Sequence, residues 1–143
     1  MLCLALVAGC SGRTEPAVDR EEAAALARAH REDLERFERW ALRIASSDTH
    51  YGSREELEEV AFAPVRGNVR IAGAWIERRG PDPWTIAEPA GALVPELAWR
   101  RTRAEGGDVE VADDGTRDWL RRSSAAPDGA TLLVTLAFLR APP

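Results

Sequence analysis

The sequence predicts an α+β fold, in which N-terminal helices are followed by a small antiparallel β-sheet or β-sandwich. Apolar residues recur at helical spacing in the first part of the chain, whereas apolar and polar residues alternate after Gly67. Glycine and proline clusters interrupt the second part at the short intervals typical of strands joined by turns. We therefore expect a single globular domain over residues 17–143, with a helical part over 17–62 and a mainly β part over 67–140.

The first helical stretch runs from Ala17 to about Ser46. Asp19 followed by Glu22 has the spacing of a capping box, in which a side chain at the helix start accepts a backbone hydrogen bond. One face of the stretch is apolar at alternating spacings of three and four residues, which predicts a helix packed on its own domain. A partner-binding or coiled-coil helix is the alternative. The residues of this face are Ala27, His30, Leu34, Phe37, Ala41 and Ile44.

A turn rich in polar residues, SSDTHYGS, separates this stretch from a shorter helix. Ser53 and Glu56 form a second capping box at its start. The shorter helix should end before Pro64, because proline disfavours the helical conformation in the residue that precedes it. The same turn holds His50 close to Asp48, a pair in which the carboxylate could orient a general base. Turns favour these residue types in any case, so we expect no catalytic role for them.

The first strands are predicted after Gly67. In residues 69–79, VRIAGAWIERR, alternation places Ile71 and Trp75 on one side of an extended chain. The sequence GPDP then forms a turn, and PWTIAEP is interpreted as an edge strand because proline flanks it. Residues 97–115 predict a hairpin around two glycines, and a helix that ends at the first of these glycines is the alternative.

The last two segments are interpreted from their hydropathy. Residues 116–124, TRDWLRRSS, form either one helical turn or a further strand. Residues 130–139, ATLLVTLAFL, are the most apolar run outside the N-terminus. They are too few to cross a bilayer as a helix, which needs about 20 residues. The run lies between a turn and the final prolines, and this predicts a buried central strand.

Composition and charge exclude several classes of function. The 143 residues carry a net charge of −5, which argues against a nucleic-acid-binding protein. The sequence contains no lysine, so Schiff-base and P-loop lysine chemistry are excluded. No metalloprotease, serine-hydrolase or phosphate-loop motif occurs. We expect no catalytic residue, no cofactor and no metal.

Acidic residues gather at Asp113, Asp114 and Asp118, around Gly115. A calcium loop would need alternating acidic positions and a distal glutamate, which this segment lacks. We interpret the cluster as a turn with a helix cap.

Trp84, Trp99, Arg101 and Arg103 are the candidate contacts for a partner or an anion. Trp84 lies between two prolines, and we expect it to be the most exposed of the five tryptophans and a candidate interface anchor. Arg101 and Arg103 share one side of a predicted strand with Trp99. Such a group could hold an anionic lipid headgroup or the carboxylates of a partner. The alternative is a solvated face whose arginine stems pack on the aromatic ring.

The N-terminus combines a short apolar run with small residues and a cysteine. Val7, Ala8, Gly9 and Cys10 end the run, and charge resumes at Arg13. This pattern resembles the lipobox of bacterial lipoproteins. The resemblance implies a diacylglyceryl thioether on Cys10, cleavage before that residue, and acylation of the new amino group. It also implies that residues 1–9 are a signal peptide and that residues 10–16 are a short lipidated tether.

The resemblance also implies a location. No basic residue precedes the apolar run, which predicts that the signal peptide starts upstream of Met1. Ser11 resembles the residue that follows the lipidated cysteine in outer-membrane lipoproteins, which implies the periplasmic face of a Gram-negative outer membrane. Cys3 would leave with the signal peptide, so the mature domain would have no disulfide.

We therefore expect a small lipid-anchored cell-envelope protein, held to the membrane through Cys10. It would act as a binding, accessory or scaffold component and bind an envelope protein. One alternative is an anchored periplasmic enzyme with a nonstandard site near His50. The other is a soluble cytosolic domain whose lipobox is accidental.

Overall fold

The structure, a computed structural model, describes residues 18–45, 52–104 and 107–140. Within these ranges four helices precede a six-stranded sheet, which confirms the predicted α+β class. The helices are α1 (Arg20–Ala29), α2 (Arg31–Ala45), α3 (Arg54–Ala61) and α4 (Ala63–Arg66). The strands are β1 (Ile71–Arg79), β2 (Trp84–Glu88), β3 (Arg100–Ala104), β4 (Gly107–Asp113), β5 (Arg117–Ala125) and β6 (Thr131–Leu139).

The strands form one open antiparallel sheet in the order β2-β1-β6-β5-β4-β3. The sandwich alternative is therefore wrong for the described residues. Strand β6 lies at the centre between β1 and β5, as its continuous apolar sequence predicts. Strands β2 and β3 lie at opposite edges, so the segment that joins them, residues 89–99, crosses one face of the sheet.

The helices pack on the other face of the sheet. The predicted apolar face of the first helical stretch is buried throughout, which confirms a helix packed on its own domain. The stretch is two helices rather than one, because the backbone leaves the helical conformation at His30 (φ −114°, ψ 11°). The largest fully buried side chains of the core that lies between helices and sheet are Leu34, Phe37, Phe62, Ile76, Ile86, Leu120, Leu132, Leu136 and Phe138.

Local signals in the sequence place the helix starts correctly. The carboxylate of Asp19 accepts a hydrogen bond from the backbone N–H of Glu22 at 2.8 Å. The hydroxyl of Ser53 accepts one from the N–H of Glu56 at 3.1 Å. Helix α3 ends before Pro64, as predicted, and this proline lies in the first turn of α4, where its missing N–H costs no hydrogen bond.

The face opposite the helices has a smaller core of its own. The indole rings of Trp75 in β1 and Trp119 in β5 stack there, with centroids 5.1 Å apart. The crossing segment, residues 89–99, covers them, and the carbonyl of Ala92 accepts the Trp75 indole N–H at 2.9 Å. Leu93 in the same segment is 87 % exposed. The small neighbours of the two rings are Ala87, Ala112 and Ala137.

The register of β1 shifts between Ile71 and Gly73. Ile71 packs on the helix-side core, whereas Trp75 belongs to the opposite face. The predicted common side for these two residues is therefore wrong. A bulge inserts one residue into the strand and reverses the alternation at that point.

The predicted GPDP turn and the predicted hairpin agree with the structure. The GPDP sequence joins β1 to β2, with positive φ values of 117° at Gly80 and 54° at Asp82. The predicted edge strand is β2, and the predicted hairpin is formed by β3 and β4, so the helical alternative for that segment is wrong. Residues 117–125 form strand β5, and the alternative of a single helical turn is wrong as well.

Candidate functional site

The residues predicted to contact a partner lie at two different edges of the sheet. Trp84 belongs to edge strand β2, where it is half-buried against the helix-side core rather than exposed in a loop. Trp99, Arg101 and Arg103 lie at the opposite edge, in or next to β3. The structure therefore brings three of the four candidates together and separates Trp84 from them.

The predicted lipidation motif lies outside the described residues. This applies to Val7, Ala8, Gly9 and Cys10, and also to His50 in the polar turn. Lipidation of Cys10 and the alternative enzyme site near His50 both stay predictions.

The ring of Trp99 contacts an arginine from another strand. The guanidinium carbon of Arg121 in β5 lies 4.0 Å from the ring centroid, an arrangement typical of a cation–π contact. Arg121 also forms an ion pair with Glu110 at 2.8 Å. Arg101 and Arg103 are exposed, and within the described part of the chain neither forms an ion pair.

Arginine residues from three elements line a groove at the edge of the sheet, and the side chain of Arg103 points to the face opposite the helices. Arg28 of α1, Arg31 of α2 and Arg103 of β3 surround a volume of about 410 Å³. We call this feature the arginine groove. A guanidinium group binds carboxylate or phosphate through two parallel hydrogen bonds, so the exposed Arg28 and Arg103 favour an anionic ligand at this edge. The small side chains that line the groove are Ala24, Ala27 and Ala104.

The arginine groove lies on the free side of β3. On α1, the buried face of Ala23 and Ala27 points to the sheet. One flank of the helix, with Leu26, lines a cavity together with residues of β4, β5 and β6. Arg28 lies on the opposite flank, because residues 26 and 28 are about 200° apart on a helix. This flank therefore faces away from the neighbouring strands and toward the unpaired edge.

The two edges of the sheet differ in how their backbone groups are satisfied. At β2, Arg54 of α3 donates a hydrogen bond to the carbonyl of Thr85. The backbone N–H of Ala87 donates to the carboxylate of Glu58 at 3.4 Å. Side chains that occupy an edge in this way block the addition of a further strand. At β3, no such bond is formed by the residues that the structure describes.

A second cavity, of about 820 Å³, lies on the other flank of α1 beside His30. The His30 ring stacks on Phe138 with centroids 3.8 Å apart, and it is 8 % exposed. Its Nδ1 atom has no hydrogen-bond partner among the described residues. Burial lowers the pKa of His30, and the nearby Asp118 carboxylate offsets this only in part. The predicted role of His30 as a packed residue is confirmed.

Charges at the mouth of this cavity are paired with one another. Arg140 forms ion pairs with Asp113 and with Asp118, the latter at 3.0 Å, and its hydrogen bonds to these two carboxylates raise the pKa of Arg140. The side chains of Val69 and Leu139 form an exposed apolar rim. Because both signs of charge are present and largely matched, this cavity defines a ligand class less clearly than the arginine groove does.

The acidic cluster after β4 is a structural turn. One oxygen of Asp114 accepts hydrogen bonds from the N–H groups of Thr116 and Arg117 at 2.8 and 2.7 Å. The other oxygen accepts the Trp119 indole N–H at 2.8 Å. Partial burial raises the pKa of Asp114, but these hydrogen bonds outweigh it and lower the pKa to about 2. The predicted turn is confirmed, whereas the predicted helix cap is wrong because a strand follows.

Among the described residues, no group of three or more His, Cys, Asp or Glu side chains could hold a metal ion. No helix in these ranges has the length and apolar composition needed to cross a membrane. In comparisons with known proteins, no protein-family model, no curated protein and no solved structure matches the chain.

Arg28 and Arg31 belong to the candidate site but were not predicted from the sequence. Residues three apart on a helix lie on the same side, so the sequence does predict that Arg28 and Arg31 flank the apolar face together. The sequence does not predict that they lie near Arg103, because this depends on which strand the helix packs against.

Proposed function

We propose that this protein is a small lipid-anchored cell-envelope protein that acts by binding another envelope protein, as an accessory or scaffold component. The location follows from the resemblance of residues 7–10 to a lipobox. The binding role rests on one observation: Arg101 and Arg103 are exposed on a free sheet edge and form no ion pair within the described residues, in a protein whose net charge is −5. Such a local reversal of charge attracts the carboxylates of a partner and orients it during encounter.

The proposed anchor and the arginine groove are close in the chain. A lipidated Cys10 carries at least two acyl chains, which is what stable membrane attachment requires. Only residues 11–19 separate it from α1, and fully extended residues span about 3.5 Å each, so the helix starts within about 35 Å of the membrane. Arg28 on that helix would hold the bound partner near the membrane surface.

The anchor is tested by the intact mass of the N-terminal peptide. The gene, with its upstream region, is expressed in a Gram-negative host beside a Cys10→Ala variant. We expect a peptide that begins at Cys10 and carries a diacylglyceryl group, with or without a third acyl chain, and no such product from the variant. An unmodified chain that retains Met1 would contradict the proposed location and favour a cytosolic domain.

The binding role is tested by photo-cross-linking in the same host. A photoreactive amino acid replaces Asp108, which is exposed and lies opposite Arg103 in the β3–β4 register. We expect one envelope-protein adduct that disappears when Arg101 and Arg103 are changed to glutamate. The matched control carries the same photoreactive group at the exposed Glu55 of α3, beside the other sheet edge. Equal adducts from both positions, or an adduct that survives the arginine changes, would contradict binding at this edge.

A further inference from the structure

We infer that the free edge of β3 accepts an extended acidic segment of the partner as an additional strand of the sheet. The inference rests on the proposed binding function and specifies the chemistry of the partner. Three observations carry it: the difference between the two sheet edges, the side-chain pattern of β3, and the position of the arginine groove.

The first observation is that the sheet has one blocked and one free edge. Arg54 and Glu58 occupy backbone groups of β2, as described above. Strand β3 has five residues, which corresponds to about 17 Å of extended chain, and no hydrogen bond from the described residues reaches its outer backbone groups. An unpaired edge of this kind is a template for an incoming strand, whose main chain supplies the hydrogen bonds.

The second observation is the charge pattern along β3. Arg101 and Arg103 are two residues apart and therefore point to the same face of the sheet. On the inner side they lie opposite Glu110 and Asp108 of β4. On the outer side the same two arginines face no strand formed by the described residues. An incoming segment with acidic residues at two alternate positions would repeat the β4 pattern there, and opposite charges across a strand pair are stabilising.

The third observation is the composition of the arginine groove. The alternate positions of an incoming strand point to the helix side, where Ala24 and Ala104 present small apolar surfaces. Apolar side chains therefore suit these positions. Arg28 lies on the helix side of the same groove and adds a cation for a terminal carboxylate of the segment. The expected sequence alternates acidic and apolar residues.

The same arginines oppose pairing between two copies of this chain. Two β3 edges brought together would set Arg101 and Arg103 of one copy near those of the other, and like charges opposite each other are destabilising. Charged residues on an edge are a recognised way to prevent edge-to-edge association. The β3 edge therefore disfavours pairing with the same edge of a second copy and favours pairing with an acidic strand.

The test uses synthetic peptides with the purified full-length protein in nonionic detergent. The probe is a fluorescein-labelled peptide of about seven alternating glutamate and valine residues, long enough to cover an edge strand. Binding is followed by fluorescence anisotropy. We expect saturable binding that weakens as salt is raised, and no binding of the matching lysine–valine peptide. Arg103→Glu should weaken binding about tenfold, because it turns an attractive cross-strand pair into a repulsive one.

The control for net charge is Arg39→Glu. Arg39 is exposed on α2, outside the arginine groove, and the substitution changes the total charge by the same amount. We expect this variant to bind the acidic peptide like the parent. Equal losses in both variants would show that the overall field of the protein, and not the β3 edge, attracts the peptide, and would overturn the inference.

Two N-methylated isomers of the peptide test strand addition itself. One carries methyl groups on the amides of alternate residues, and the other on the amides of the remaining residues. Only one set of amides faces β3 in an added strand, so one isomer should lose binding and the other should retain it. Amide hydrogen exchange should slow within Arg100–Ala104 when the acidic peptide is bound. Equal binding of both isomers would overturn strand addition.

Two further results would assign the β3 edge to a ligand other than an acidic strand. Binding to phosphatidylglycerol vesicles without binding of the peptide would assign the edge to lipid headgroups. A concentration-dependent dimer that Arg103→Glu disrupts would assign it to a second copy. Either result overturns the inference. The proposed function has its own tests, which are the acylation of Cys10 and the cross-linked adduct at Asp108. Both tests could succeed even if the acidic peptide does not bind as an added strand.

Discussion

The indole ring of Trp75 lies over Gly73, two residues earlier in the same strand. A Cβ atom placed on Gly73 would come within 2.6 Å of Cη2 of that ring. The ring has little freedom to move, because it stacks on Trp119 and donates its N–H to the carbonyl of Ala92. Position 73 therefore requires glycine, because the Trp75 ring occupies the space that a Cβ atom would fill.

Gly73→Ala should therefore lower the free energy of unfolding by about 1–3 kcal/mol, the usual cost of overpacking a filled core. Urea denaturation followed by tryptophan fluorescence measures it. The control is Gly67→Ala, where φ is −86° and no atom lies within 4 Å of the added methyl group. In a Trp75→Phe background the cost should shrink, because phenylalanine lacks the clashing atom. An unchanged cost there would contradict the proposed contact.

Asp114 should make stability depend on pH in the acid range. Its pKa is about 2 in the folded protein, against 3.8 for an exposed aspartate carboxyl. Because the folded-state pKa is the lower one, its contribution is complete above 3.8 and is lost as the pH falls toward 2. Asp114→Ala should cost about 1–2 kcal/mol and remove this part of the pH dependence. Urea titrations across the acid range provide the measurement, with Asp108→Ala as the exposed control.

His30 should make stability depend on pH at a higher range. Burial holds the pKa of His30 below 6.5 in the folded protein, so below that pH the unfolded chain binds more protons. Stability therefore falls as the pH drops from 6.5 through the folded-state pKa. His30→Phe keeps an aromatic ring on Phe138 and should flatten this slope. Proton NMR titration resolves the two histidines, and His50→Ala assigns them. A His30 pKa above 6.5 would contradict the effect of burial.

Glu38 of α2 should be important for docking that helix on β5. Its carboxylate pairs with the buried Arg122 at 3.4 Å and accepts a hydrogen bond from Ser124. Glu38→Leu should cost about 1–3 kcal/mol, because it removes a carboxylate that holds hydrogen bonds to the buried Arg122 guanidinium and to Ser124. Adding Arg122→Met should recover much of the loss in denaturation experiments. Arg36→Ala, which breaks an exposed pair with Asp33, should change stability by less than about 1 kcal/mol.

The elements that could be predicted from the sequence are those with a local signal. The helix starts at Asp19 and Ser53 depend on side-chain hydrogen bonds within three residues, and the central position of β6 follows from its continuous apolar run. The bulge next to Ile71 could not be predicted, because alternation gives no sign of an inserted residue. The arginine groove could not be predicted either. It joins Arg28 to Arg103 through the packing of a helix on a distant strand, which no local pattern encodes.

The central strand of the sheet is the last of the six described strands to be synthesised. Strands β1 and β5 both pair with β6, so neither acquires its shared neighbour until Thr131–Leu139 has left the ribosome. Until then the helices lack the middle of the surface on which they pack. Pairing of strands distant in sequence also makes folding slower than for a helical bundle. The domain therefore folds only after β6 has been made, because a chain that ends before β6 lacks the strand that joins the β1–β2 pair to β3, β4 and β5.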